Sequence, residues 1–109
     1  PVANREWHRM LAAVAGVYLI VDAKTGAQYV GSAYGQDGIL GRWRQYAKTR
    51  HGGNEQLRAL TSTVPDYSRN FRFCLLRTLP RTLTKNEVIR YEVLYKKKLG
   101  SRAFGLNSN

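Results

Sequence analysis

The chain has 109 residues, and its 18 lysines and arginines against seven acidic residues give a formal net charge of +11. This length predicts one domain over residues 1–109, since about 100 to 150 residues is the commonest domain size. A hydrophobic content of 43% excludes a disordered chain, and the single cysteine, Cys74, excludes an internal disulfide. The longest nearly uncharged apolar stretch, Met10 to Val21, is too short for a membrane span, so we expect a cytoplasmic domain without a membrane partner.

The first third of the chain predicts a short helix followed by a β-hairpin. Four apolar residues recur at helical spacing and predict a helix over about residues 5–14 that Gly16 ends: Trp7, Met10, Leu11 and Val14. Two apolar runs, 17–21 and 27–33, are rich in β-branched and aromatic residues, which favour strands. The short polar loop between them ends in Gly26, so the two strands are expected to pair antiparallel.

Two helices and a third strand are predicted next. Asp37 is a candidate N-cap for a helix over residues 39–48, and Asn54 for a helix over residues 55–61, because short polar side chains accept hydrogen bonds from the first helical amides. Apolar and polar residues then alternate over 71–79, which predicts a strand. We expect Cys74 to be a small core residue.

Thr84 and Glu87 form a capping box, which predicts the start of the last helix, and this helix should end at Gly100. Residues 101–109 contain glycine and asparagine and predict a loop packed by apolar side chains. Four residues of the helix align on one apolar face: Val88, Glu92, Tyr95 and Leu99. An inward carboxylate must be paired, hydrogen-bonded or metal-bound, so a salt bridge to an arginine and a metal site both stay open for Glu92.

A series of motifs runs through these elements. Gly16-Val17-Tyr18 and Tyr29-Val30-Gly31 open and close the predicted hairpin. The other members follow on the next helix, the last helix and the tail: Arg42, Tyr46, Glu92 and Asn107. In this order the residues resemble the motif series of the GIY-YIG nuclease family, with valine in place of isoleucine in both triplets. The resemblance covers residues 16–107 and implies an α/β (α+β) fold, a small three-stranded antiparallel sheet flanked by helices, with which the predicted elements agree.

The resemblance implies a metal-dependent DNA endonuclease that hydrolyses phosphodiester bonds with one divalent ion, Mg²⁺ or a substituting Mn²⁺, on Glu92. It implies a catalytic site made of six residues and shaped by Gly16 and Gly31: Tyr18, Tyr29, Arg42, Tyr46, Glu92 and Asn107. A carboxylate suits Mg²⁺, which takes one or two protein carboxylates and keeps several waters. A catalytically silent nucleic-acid-binding module with the same fold is the alternative function, because the basic charge alone would suffice for binding.

Individual roles follow from the chemistry of these side chains. Arg42 offers a planar fork of donors for phosphate oxygens, although an exposed helix arginine is its alternative. The resemblance implies that Tyr18 is the leading candidate for general base, and Tyr46 is placed to hydrogen-bond to it; some relatives carry histidine at the Tyr46 position, so the identity of the proton acceptor stays open. Plain packing is the alternative for Tyr18 and Tyr29. Asn107 is expected to hydrogen-bond at the base of the site, with an ordinary turn asparagine as its alternative.

The basic residues and one departure from the family complete the predictions. Ser32 stands where some relatives carry a lysine, so the supporting charge is either missing or supplied elsewhere, for example by Lys97 or Arg44. The last predicted helix carries three consecutive lysines, which predict a surface that faces solvent or DNA phosphates: Lys96, Lys97 and Lys98. Four residues are candidate DNA contacts, with a simple surface role as the alternative for the histidine: Arg44, Lys48, His51 and Lys97. The expected partner is double-stranded or branched DNA, selected by a fused or associated targeting domain outside this chain.

Overall fold

The structure, a computed structural model, describes residues 9–50, 52, 54–64 and 66–107, apart from the side chains of residues 103 and 104. The first half of the chain contains α1 over residues 9–13, β1 (Val14–Asp22), β2 (Gln28–Ala33), α2 (Gly38–Thr49) and α3 (Glu55–Thr63). A 3₁₀ turn over Tyr67–Asn70 then leads to β3 (Phe71–Pro80), α4 (Lys85–Leu99) and α5 (Ser101–Phe104). Among the described residues, none of the helices is long and apolar enough to cross a bilayer.

The three strands form one antiparallel sheet in the order β2-β1-β3. The predicted fold class, a three-stranded antiparallel sheet with flanking helices, is therefore confirmed. Tyr18 of β1 lies opposite Gly31 of β2 and opposite Leu75 of β3. The pairing with β3 shifts register between Val17 and Tyr18, which marks an irregularity beside the tyrosine. Tyr18 lies on the central strand and therefore has a neighbouring strand on each side.

Helices cover both faces of the sheet, which explains why β1 has no charged residue before its last position, Asp22. Successive side chains of a strand point to opposite faces. One face packs with α2 and α3 around a cluster that includes Tyr18, Ile20, Ile39, Tyr46 and Leu57. The other face packs with α4 around a cluster that includes Val17, Leu19, Val30, Leu79 and Val88. Tyr18 is consequently directed at α2, and the candidate site forms on that side of β1.

Helix ends follow the predicted caps with one exception. The Asn54 side chain accepts a hydrogen bond from the Leu57 amide at 2.9 Å, and both bonds of the Thr84 capping box are present. Gly100 ends α4 with a φ of 65°, a left-handed conformation that glycine adopts without strain. Asp37 is the N-cap residue of α2, as predicted, but its side chain makes no capping hydrogen bond within the described residues.

Several predicted boundaries differ from the structure. The helix expected over residues 5–14 ends by residue 13 in its described part, because Val14 pairs with Pro80 as the first residue of β1. Gly16 therefore ends no helix; it lies within β1, where a Cβ would overlap the Arg77 carbonyl oxygen. The tail is helical over Ser101–Phe104 instead of a loop. Cys74 is exposed, because its part of β3 is uncovered, so its placement in the core was wrong.

Candidate active site

Two buried tyrosine hydroxyls meet between β1 and α2. The Tyr18 and Tyr46 oxygens are 3.0 Å apart, and the ring centroids are 5.8 Å apart in an edge-to-face arrangement. The two residues are only 1% and 3% exposed. Tyr29 of β2 completes a cluster of three phenols, with its ring centroid 6.4 Å from that of Tyr18. The predicted hydrogen-bonding pair is thus present, and each hydroxyl lies where a lost partner would be costly.

Two glycines make room for these tyrosine rings. A Cβ at Gly31 would overlap the Cζ and hydroxyl oxygen of Tyr18, its partner across the strand pair. A Cβ at Gly52 would overlap the ring of Tyr46, and Gly52 also has a φ of 57° that side chains rarely adopt. Gly31, the glycine of the second motif triplet, therefore allows the Tyr18 side chain to approach the strand closely. Gly52, which the sequence analysis did not single out, does the same for the second tyrosine.

The surroundings of the hydroxyl pair raise the pKa values of both phenols. Burial raises the pKa of Tyr18 most, and the neighbouring Tyr29 adds to this, whereas the hydrogen bond with Tyr46 and the Arg42 guanidinium offset part of the rise. Burial also raises the pKa of Tyr46, and the neighbouring phenols of Tyr18 and Tyr29 raise it further. Both hydroxyls are therefore protonated at neutral pH, and Arg42 is the cation that favours a phenolate on Tyr18.

The Glu92 carboxylate is held by one residue on each side. The Ser32 hydroxyl of β2 donates to Oε1 at 2.6 Å, and the Lys96 ammonium lies 2.7 Å from Oε2, one helical turn further along α4. Lys96 is only 3% exposed. The carboxylate on the inward face of the last helix is thus paired, as the sequence requires, but with a lysine of its own helix and not with an arginine.

Lys96 is a residue whose role the sequence analysis missed. Lys97 and Arg44, the two candidates for a supporting charge, are exposed and neither lines the cleft described below, whereas the buried Lys96 contacts the Glu92 carboxylate. Val88, Glu92 and Lys96 follow each other at intervals of four, which places them on one face of α4. This spacing could have placed Lys96 on the buried face of the helix, but a run of three lysines predicts a solvated surface. Leu99, in contrast, was expected on the buried face and is exposed.

The described side chains converge on one cleft of about 430 Å³. Five of the six predicted catalytic residues line it: Tyr18, Tyr29, Arg42, Tyr46 and Glu92. Ser32, Tyr34 and Gly52 also line it, and Glu55 of α3 contributes a second carboxylate that the sequence did not indicate. Arg42 is half-buried, and its Nη1 donates to the Gln45 side chain at 3.0 Å. The cleft thus brings together a phenol, a guanidinium and a carboxylate, the groups that phosphodiester hydrolysis uses.

Asn107 lies behind this cleft and does not line it. Its buried side chain accepts from the Val30 amide at 2.7 Å and donates to the Val30 carbonyl at 2.9 Å. The Leu106 amide donates to the Gln28 carbonyl at 2.7 Å in the same way. The tail therefore pairs with the outer edge of β2, and Asn107 fixes the residue between Tyr29 and Gly31.

The remaining predicted residues lie outside the cleft. Gly16 packs against β3, and the exposed side chains of Arg44, Lys48 and Lys97 do not line the cleft. His51 lies outside the described residues. Among the residues that the structure describes, no three His, Cys, Asp or Glu side chains gather in one place that could hold a metal ion.

No protein-family model and no curated protein matches the chain. Two solved structures do, both of the catalytic domain of the homing endonuclease I-TevI. The first is 23% identical, with a TM-score of 0.67, and the match covers 85% of this chain and 96% of that one. The second, a glutamate-to-alanine variant of the same domain, is also 23% identical, with a TM-score of 0.68 and coverage of 88% and 94%. The chain therefore has the fold of a GIY-YIG homing endonuclease catalytic domain.

Proposed function

We propose that this chain is a metal-dependent DNA endonuclease that hydrolyses phosphodiester bonds in the cleft between β1, β2, α2 and α4. The observation that carries the proposal is the convergence of Tyr18, Arg42 and Glu92 on one cleft. This convergence occurs in a fold shared with the catalytic domain of the homing endonuclease I-TevI.

Tyr18 is the proposed general base. A phenol has an ordinary pKa near 10 and must lose its proton before it can accept one from the attacking water. Burial opposes that loss, but the hydrogen bond from Tyr46 and the charge of Arg42 favour it. A cation bound in the cleft would add to the second effect, whereas the negative charge of the substrate phosphate would oppose it. Tyr46 then acts through Tyr18 as a positioning residue.

Arg42 is the proposed stabiliser of the phosphoryl group. Its guanidinium carries a permanent charge and lines the cleft together with Tyr18. Charge on the phosphoryl oxygens grows as the water attacks, so a fixed donor there lowers the barrier more than it strengthens ground-state binding. A single preorganised donor of this kind is worth on the order of 10²-fold in rate.

Glu92 is the proposed metal ligand, and the donor set fits one hard cation. Each carboxylate oxygen holds one hydrogen bond or ion-pair contact, to Ser32 or Lys96, and keeps a further lone pair. A divalent ion bound there would polarise a phosphoryl oxygen and supply positive charge beside the leaving group. Ser32 and Lys96 fix the direction of the carboxylate, which is the part that outer residues play at metal sites. Mg²⁺ is the proposed ion, with Mn²⁺ as a substitute.

The proposed substrate is double-stranded or branched DNA. The net charge of +11 favours a polyanion, because each neutralised phosphate releases counterions. Arg44, Lys48 and Lys97 lie on the surface around the proposed site and would contact the DNA backbone. Selection of a sequence would come from a fused or associated targeting domain, since backbone contacts carry no sequence information.

Arginine variants on α2 test the proposal. Arg42→Ala removes the charge in the cleft, and Arg44→Ala removes the same charge from the exposed side of the same helix. We expect the first variant to lose on the order of 10²-fold in single-turnover cleavage rate, with DNA affinity reduced no more than in the second. DNA binding without cleavage by the wild type would instead support the silent binding module. Equal cleavage rates for the two variants would remove Arg42 from the mechanism.

A further inference from the structure

A second cavity, of about 350 Å³, lies between the C-terminal half of α2 and the start of β3. We propose that this aromatic pocket binds an unpaired nucleobase of the DNA held by the proposed active site. The pocket is defined by Trp43, Tyr46, Ala47, Arg50, Ser68, Phe71 and Phe73. The inference rests on the proposed function and adds to it a structural class of substrate.

The rings that form the aromatic pocket are arranged as a stacking surface. The Trp43 and Phe73 centroids are 6.0 Å apart, and the Tyr46 and Phe73 centroids are 5.6 Å apart. Phe73 is 40% exposed, although phenylalanine on a strand normally faces a core. Nucleobases stack on such rings whatever their sequence, because every base has a π-face. The exposed ring therefore has a natural ligand in a single-stranded or extruded nucleotide.

The polar groups at the aromatic pocket match a nucleotide better than an apolar peptide. Arg50 lines the pocket and is exposed, and none of the described lining residues is acidic. A nucleotide would place its base on the rings and its phosphate against the guanidinium. An aliphatic side chain would leave this cation without an anionic partner.

Tyr46 connects the aromatic pocket with the catalytic cleft. Its hydroxyl reaches Tyr18 in the cleft, and its ring packs against Phe73 in the pocket. One DNA strand running past α2 would thus place a phosphate in the cleft and a nearby base in the pocket. A fully paired duplex keeps its bases stacked inside the helix, and extruding one costs a few kcal/mol. The preferred substrate would therefore carry an unpaired nucleotide near the cut, as flapped, bulged and branched DNA does.

Fluorescence of Trp43 tests the proposal without any cleavage. The chain has two tryptophans, so in Trp7→Phe the tryptophan fluorescence comes from Trp43 alone. In EDTA, this protein is titrated with a duplex that carries a single-nucleotide bulge and with a fully paired duplex of the same length. We expect the bulged DNA to quench Trp43 and to bind more tightly. Phe73→Leu should weaken binding of the bulged DNA by about 5-fold to 100-fold and leave the paired duplex unchanged. Phe73→Tyr keeps the ring and should keep the affinity.

Two results would overturn the aromatic pocket as a base site. Equal affinity and equal quenching for the two DNAs would do so, and so would a Phe73→Leu loss of the same size for both. The proposed nuclease function fails separately, through absence of cleavage with any divalent metal. A preference for bulged DNA together with no cleavage would therefore leave the pocket in place, while cleavage with no such preference would remove the pocket alone.

Discussion

The hydrogen bond between Tyr18 and Tyr46 makes the most detailed prediction for the stability of this domain. Tyr18→Phe and Tyr46→Phe each remove one hydroxyl of a pair whose oxygens are 3.0 Å apart in a buried site. The remaining hydroxyl then loses its partner, and an unsatisfied buried hydroxyl costs about 1–3 kcal/mol. The double variant removes both hydroxyls together and leaves neither without that partner. The effects of the two substitutions should therefore not add.

The size of this coupling follows from the hydrogen bond that the two hydroxyls share. Each single variant leaves one buried hydroxyl without the partner that it has in the wild type. We expect a cost of about 2 kcal/mol for Tyr18→Phe and about 2 kcal/mol for Tyr46→Phe. The double variant should cost about 2 kcal/mol, which gives a coupling of about 1–2 kcal/mol between the two positions.

Urea denaturation of the four proteins measures this coupling. A loss of 1 kcal/mol in a domain of this size also lowers the melting temperature by about 4–8 °C, which calorimetry detects. Free energies of unfolding that add to within about 0.3 kcal/mol would refute the reasoning, because they would show that the two hydroxyls do not interact.

The pH dependence of stability has a definite sign. The pKa values of both phenols are raised by burial, so the folded protein holds these protons more tightly than the unfolded chain. Stability from this source is complete below the ordinary phenol value near 10 and falls as the pH rises above it. The double phenylalanine variant should show a shallower alkaline decline between about pH 9 and 11. Tyr67, whose pKa is raised by its hydrogen bond to Asp22, is present in both proteins and cancels in the comparison.

Three further substitutions test how the cleft is built. Gly31→Ala forces a Cβ into the tyrosine ring across the strand pair and should cost about 1–3 kcal/mol in a thermal melt. Lys96→Met leaves the half-buried carboxylate of its partner without an ammonium and should cost about 3 kcal/mol and lower the cleavage rate, whereas Lys97→Met, at an exposed position, should leave the stability unchanged. Asn107→Ala removes two buried hydrogen bonds from the outer edge of β2 and should speed hydrogen exchange of the Val30 amide, while an unchanged rate would contradict the anchoring role.

Periodicity and caps predicted most of the fold because they depend on neighbouring residues. The capping box at Thr84 and the cap at Asn54 fixed the starts of two helices, and strand alternation fixed β3. Val14 shows the limit of this reasoning. It fits the helical stripe of the preceding residues, yet its pairing with Pro80, distant in sequence, makes it a strand residue. Tertiary pairing overrides local propensity at such boundaries.

The motif series predicted the residues that line the cleft but not the ones that support them. Gly52 and Ser32 act through contacts across elements, with Tyr46 and Glu92 respectively, and such contacts leave no local pattern. Lys96 lies in a run of three lysines, and its burial depends on how α4 packs against β2. Asn107 was expected to hydrogen-bond at the base of the site. Its side chain bonds both backbone groups of Val30 in β2, and the pairing of the tail with β2 leaves no pattern in a single sequence.

The most direct test of the central claim compares Glu92→Gln with Glu87→Gln on supercoiled plasmid. Both variants remove one negative charge from α4, but only Glu92 lines the cleft. The account predicts nicking by the wild type and by Glu87→Gln with Mg²⁺ or Mn²⁺, none in EDTA, and a loss of about 10²-fold or more in Glu92→Gln with DNA binding preserved. Equal nicking by the two variants, or nicking that persists in EDTA, would contradict it.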